Sequence, residues 1–158
     1  MSNALTLVDL VSLAGGASDA FIVRSLESAG YAGLRVRHGY VFQRLLVAPL
    51  SITALARDLG VTQQAMSKTI AELSALGYIE ASPDAADARR RSISLSHHGR
   101  DAVRAARDIR ARLERRIADA VGDDRLRGAR ETVEVLLAEV GLADRVAGRE
   151  VPIPGPAD

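Results

Sequence analysis

Thr62, Gln63, Gln64, Ser67 and Lys68 lie within two helical turns of one another, with no acid among them. These side chains suit hydrogen bonding to nucleic acid. Gln bonds both edge atoms of adenine, Ser and Thr donate to bases or phosphates, and Lys reaches a phosphate or a guanine edge. A helix starting at Thr62 would add free N–H groups at its first turn, which favour an anion. Glu72 is the only acid of the helix expected here, and it is expected to turn away from this face.

A second group follows. Asp84, Asp87, Arg89, Arg90 and Arg91 sit on a stretch of otherwise small residues. Three consecutive Arg suit insertion into a narrow minor groove, where the negative potential is enhanced. Asp87 can orient Arg89 through a bidentate pair. Ser51, an N-cap just upstream, is grouped with these DNA contacts.

The elements that must position these residues are legible from periodicity. Leu5 to Ala29 reads mostly as helix, with Leu7, Leu10, Val11, Ala14, Phe21, Ile22 and Leu26 near a 3.6-residue repeat. At Gly15-Gly16 either the helix kinks, or two helices meet with Ser18 capping the second. Val36 to Val47 reads as a second helix. Ser51 caps a short helix, Ile52 to Leu59, and Gly60-Val61 forms a tight turn. Thr62 caps a longer helix, Gln63 to Leu76, expected to bury Ala65, Met66, Ile70 and Leu73, with Gly77 at its end.

Tyr78 to Ser82 and Ser92 to Ser96 alternate like the arms of a hairpin. Gly99 to Val121 carries Val103, Ala106, Ile109, Leu113, Ile117 and Val121 on one stripe. After Gly122, Asp123 or Asp124 is expected to cap a last helix reaching Val140. Pro152, Pro154 and Pro156 mark a flexible tail. Two helices across a short Gly turn, followed by a hairpin, are a winged helix-turn-helix. Ala56 is small enough for the helices to cross closely, and Gly60 permits the sharp turn.

The stretch Leu55 to Gly99 resembles the MarR family of bacterial regulators. The matching residues are Leu55-Ala56, Leu59-Gly60-Val61-Thr62, Ser67-Lys68, Leu73, Leu76-Gly77-Tyr78-Ile79-Glu80, Asp87-x-Arg89 and Leu95-Ser96-x-x-Gly99. Ala88 departs from the family, which often has another Arg there. The resemblance extends more loosely over residues 5–142. It implies a mainly α fold with a small β-hairpin wing: a winged helix-turn-helix domain at 35–98 and a helical dimerisation lobe from 1–34 and 99–142, followed by a tail at 143–158. It implies a homodimer that binds a pseudo-palindromic duplex and acts more often as a repressor. It also implies that Arg89 enters the minor groove with Asp87 in support.

Many members of this family bind small aromatic acids in a cleft beside the second helix. By analogy Arg37, His38, Tyr40 and Phe42 are candidates for a small aromatic or anionic effector, with Arg35 close by. The bland reading of these residues is core packing and ordinary histidine bonding. His97-His98 read as solvated loop residues near phosphate rather than as metal ligands. The rival function is an adaptor whose winged domain binds a protein partner. Salt dependence of duplex binding separates the two.

Composition narrows the field further. The chain has 158 residues, 27 Ala, 20 Arg, a single Lys and five aromatics, which favours helix. The absence of Cys excludes disulfides, thiolate zinc sites and thiol redox sensing. No phosphate loop, His-Glu-x-x-His or Ser elbow is present, so neither an enzyme nor a bound cofactor is expected. No apolar run approaches the ~18 residues of a membrane span, and Met1 to Leu10 lacks the pattern of a signal peptide. A cytoplasmic protein is expected. The net charge of +1 averages unlike parts: residues 84–100 hold four Arg against two Asp, whereas 122–142 hold three Arg against five acids.

Overall fold

Thr6 and Asp9 set the start of the first helix by capping each other. Asp9 Oδ2 accepts from the Thr6 N–H at 2.8 Å, and Thr6 Oγ1 accepts from the Asp9 N–H at 3.2 Å. The structure is a computed structural model and describes residues 4–83 and 91–143. Six helices and one hairpin follow in chain order: α1 (Leu7–Ser28), α2 (Val36–Leu45), α3 (Ile52–Leu59), α4 (Gln63–Ala75), β1 (Ile79–Pro83), β2 (Arg91–Leu95), α5 (His97–Val121) and α6 (Asp123–Glu139).

α1 runs through Gly15-Gly16 as one helix. The two-helix alternative is therefore corrected, and Ser18 lies inside the helix rather than at a cap. α2 is shorter than its apolar pattern suggested and ends at Leu45, two residues before Val47. α3 and α4 start where Ser51 and Thr62 predicted. Ser51 Oγ accepts from the Ala54 N–H at 3.2 Å, and Thr62 Oγ1 accepts from the Ala65 N–H at 3.1 Å. Ala65 is exposed, contrary to expectation, because it shares the outer face with Gln64. Thr69 is buried in its place, and its hydroxyl donates to the Ala65 carbonyl at 3.1 Å.

The hairpin sits one residue off the expected frame. β1 and β2 pair antiparallel, with Ile79 opposite Leu95, Ala81 opposite Ile93 and Pro83 opposite Arg91. Tyr78 stays out of the strand because its N–H closes the end of α4 on the Leu73 carbonyl at 3.0 Å. Leu50 adds a short bridge to Ile93 on the other edge. Ser96 caps α5 at the Gly99 N–H, so that helix starts at His97 rather than Gly99. At the final turn neither Asp123 nor Asp124 is the cap. Gly122 holds that position, and both acids lie in the first turn of α6, where they face the positive end of the helix dipole.

The core is centred on the winged domain. Val41, Leu55, Leu59, Met66, Leu73, Tyr78 and Leu95 are essentially sealed, and α1 joins them through Ile22 and Leu26. Burying one such leucine contributes about 1.5–3 kcal/mol. The outer helices are different. The α5 stripe is buried at Val103 and Ile109, half-buried at Ala106 and Leu113, and exposed at Ile117 and Val121. α6 buries none of its residues, and Leu7, Leu10 and Leu13 of α1 are at least half exposed.

Candidate nucleic-acid interface

Gly60 takes φ 68°, in the left-handed region, and so turns the chain sharply from α3 into α4. The Val61 N–H donates to the Ala56 carbonyl at 3.0 Å across that turn. Ala56 is buried between the helices, where a larger side chain would hold them apart. Met66, Ile70 and Leu73 anchor α4 from within. The opposite face then presents Thr62, Gln63, Gln64, Ser67 and Lys68 to solvent together. The oxygens of Ser51 and Thr62 accept capping bonds, so each hydroxyl proton is left to donate outward.

Glu72 is turned away from this face, toward α2. Its Oε2 accepts from Arg37 Nη2 at 2.8 Å, and it stands 3.7 Å from Arg35 Nη1 and 3.6 Å from His38 Nε2. The bond from Arg37 and the nearby cations hold the Glu72 carboxyl below its ordinary range. His38 is 1% exposed, and its Nδ1 accepts from the Arg35 backbone N–H at 3.2 Å. That bond leaves the proton of the neutral ring on Nε2, facing Glu72. Burial, followed by the charge of Arg37, lowers the pKa of His38.

The base of the wing is tied to the end of α4. Ser96 Oγ donates to the Gly77 carbonyl at 2.6 Å and accepts from the Gly99 N–H at 3.0 Å. Arg91 opens β2 and is exposed. Asp87, Arg89 and Arg90 lie outside the described residues.

Residues 32–90 match the family model described as MarR family. Over these residues, which take in most of the winged domain, the chain is similar to the MarR family. Three solved structures illustrate the shared fold. The S. aureus MepR–DNA complex is 19% identical, with 88% of this chain and 99% of that one covered at a TM-score of 0.62. Apo wild-type MarR from E. coli is 18% identical, with coverages of 89% and 99% and a TM-score of 0.63. YusO from Bacillus subtilis is 19% identical, with coverages of 84% and 96% and a TM-score of 0.63. No curated protein sequence matches the chain.

This fold separates the four residues expected around an effector. His38 and Phe42 line a partly open cavity of about 80 Å³ between α1, α2 and α5. Arg37 faces the other way, onto Glu72. Tyr40 lies in an adjoining groove with Asp19 and Arg110, and burial, with Asp19 second, raises its pKa. Phe42 is also a core residue, its ring 6.0 Å from that of Tyr78. Arg107 and Arg110 of α5 reach the cavity from the far side and were not singled out from the sequence. Their only sequence signal is the i, i+3 spacing on a helix full of Arg, which reads as a solvated face.

The histidine pair is corrected as well. His97 and His98 lie in the first turn of α5 rather than in a loop. His97 Nδ1 is 3.0 Å from Asp101, and the His98 ring stacks on Tyr78 at 4.6 Å. Among the described residues, no helix is long and apolar enough to cross a membrane.

Proposed function

We propose that the protein is a DNA-binding transcription regulator that docks α4 in the major groove and its wing in the minor groove. The observation that carries this reading is the outer face of α4. Its polar side chains are exposed, and the one acid of the helix is bound to Arg37 on α2, away from that face. The similarity of residues 32–90 to the MarR family supports it, since members of that family are transcription regulators and not enzymes. The S. aureus MepR structure with the same fold is a DNA complex.

The finer reading is a repressor acting as a homodimer. Residues 35–98 read DNA, 1–34 and 99–142 dimerise, and 143–158 form a tail. The exposed leucines of α1 and the uncovered face of α6 supply apolar surface for that dimer. Two α4 helices related by a two-fold axis set half-sites roughly 34–36 Å apart. Ser51 and the residues of the α4 face contact one half-site. Arg89, supported by Asp87 and flanked by Arg90 and Arg91, enters the minor groove. A small anionic or aromatic effector would fit beside His38 and Phe42, where Arg107 and Arg110 supply positive charge.

A gel shift with the gene's own flanking intergenic DNA tests the reading. Retardation by that duplex, weakening steeply as salt rises, is the expected result. Binding without a salt slope, or none at all, would favour the adaptor role. Arg89→Ala is expected to weaken binding without unfolding the protein.

A further inference from the structure

Glu72 lies one helical turn beyond Lys68 on α4, at the i, i+4 spacing that brings side chains together on a helix surface. Lys68 is the only lysine of the chain and the only cation between Thr62 and Ala75. It is exposed, yet it is not among the ion-pair partners of Glu72 in the described residues. Those partners are Arg35, Arg37 and His38, all from α2 or its N-cap. The nearest is Arg37, 35 residues away in sequence.

We propose that Arg37 is a positioning residue for DNA binding: it holds Glu72 against α2 and so keeps Lys68 free for the nucleic acid. The proposal rests on the DNA-binding reading above and deepens it. Without Arg37, Glu72 has a cation of its own helix within reach. A Lys68–Glu72 pair would then withdraw the one positive charge of the reading face and place a carboxylate beside the phosphates. Arg37 thus acts through Glu72 and Lys68, without touching DNA. His38 supports the arrangement from behind, since its Nδ1 bond to the Arg35 N–H fixes the first turn of α2.

The test compares two single variants and one double. Arg37→Gln is expected to weaken duplex affinity about three- to tenfold at low salt, and to reduce the salt slope by up to ~1 per protomer. Arg37→Gln/Glu72→Gln removes the freed charge and is expected to restore both, although the link between α2 and α4 stays broken. A double variant as weak as the single overturns the proposal, because loss of packing is then the cause. Glu72→Gln alone is expected to bind like the wild type. A clear loss in that variant also overturns the proposal, and it supplies the answer if Arg37→Gln does not fold.

A DNA-free arm separates this proposal from the function it rests on. With one lysine in the chain, protein carrying lysine 13C-labelled at Cε gives a single Cε NMR signal, that of Lys68. That signal is expected to move in Arg37→Gln and to return in the double variant. A signal that stays put in Arg37→Gln overturns the proposal whatever the protein binds. A signal that behaves as expected, in a wild type that binds no duplex, upholds the charge relationship and rejects the DNA-binding reading.

Discussion

The α-carbon of Gly99 rests against the backbone carbonyl of Tyr78, with no room between them for a Cβ. This contact seats the first turn of α5 on the end of α4 and closes the base of the wing. The Ser96 N–H donates to the same carbonyl at 3.0 Å. Because the obstacle is backbone, a side chain cannot swing aside to make space. Gly99→Ala is expected to destabilise the fold by about 1–3 kcal/mol, read as a lowered denaturation midpoint. Gly39 has nothing within 4 Å of its Cβ position and lies inside α2. Gly39→Ala is expected to leave stability unchanged or raise it by up to ~1 kcal/mol. Equal effects at the two sites would contradict the packing described.

Acid is expected to weaken the fold through His38. Its pKa is lowered in the folded protein by burial first, then by Arg37 and Arg35, against the opposing pull of Glu72. The unfolded chain takes up the proton near the ordinary value of 6.5, and the folded protein only at lower pH. Below that value the unfolded state binds more protons, so stability falls as pH falls. Above it both states carry a neutral ring, and this residue contributes no pH dependence. Urea midpoints measured from pH 7.5 down to 5 should fall for the wild type and flatten for His38→Asn. Parallel profiles would remove His38 as the source.

Reading and stability are expected to separate along the winged domain. Leu55 is fully buried in α3, and Leu55→Ala should cost about 2–5 kcal/mol by leaving a cavity. Gln64 is exposed on α4, and Gln64→Ala should change stability by no more than ~0.5 kcal/mol. Duplex affinity should nevertheless drop by about 1–3 kcal/mol if Gln64 reads a base. Chemical denaturation and a binding titration on the same preparations check both halves.

The uncovered face of α1 gives a prediction about assembly. Leu13 is 61% exposed, so Leu13→Asp should leave the fold of one chain intact. A charge placed in an apolar interface should disrupt association. Light scattering is expected to report a dimer for the wild type and a monomer for the variant, with unchanged helical circular dichroism. A dimer that survives the substitution would place the interface elsewhere.

Much of the winged domain was legible because its signals are short-range. Ser51 and Thr62 cap helices by bonding N–H groups three residues ahead, and Gly60 turns the chain within its own dihedral angles. Such features depend on neighbours a few positions away, which a linear reading sees directly. The same reasoning failed at Asp123 and Asp124, where either acid suits a cap but Gly122 takes the position. It failed again at Ala65, since an apolar residue on the edge of a helical stripe is buried only if a neighbour covers it.

Only the tertiary structure decided the partners of the candidate site residues. That Glu72 turns away from the exposed polar face of α4 was expected, but its acceptance of a bond from Arg37 was not. Nor did the sequence single out Gly99 as the residue packed on Tyr78, or Arg107 and Arg110 as walls of the cavity beside His38. By itself the sequence determined the caps of α3 and α4, the turn between them, the polar face of α4 and the single lysine upon it. Which partners Glu72 finds near that lysine depends on where the fold places α2 relative to α4. Val41, Leu55, Met66 and Leu73 join α2, α3 and α4 in one core, and such packing is a collective property of side chains far apart in the chain.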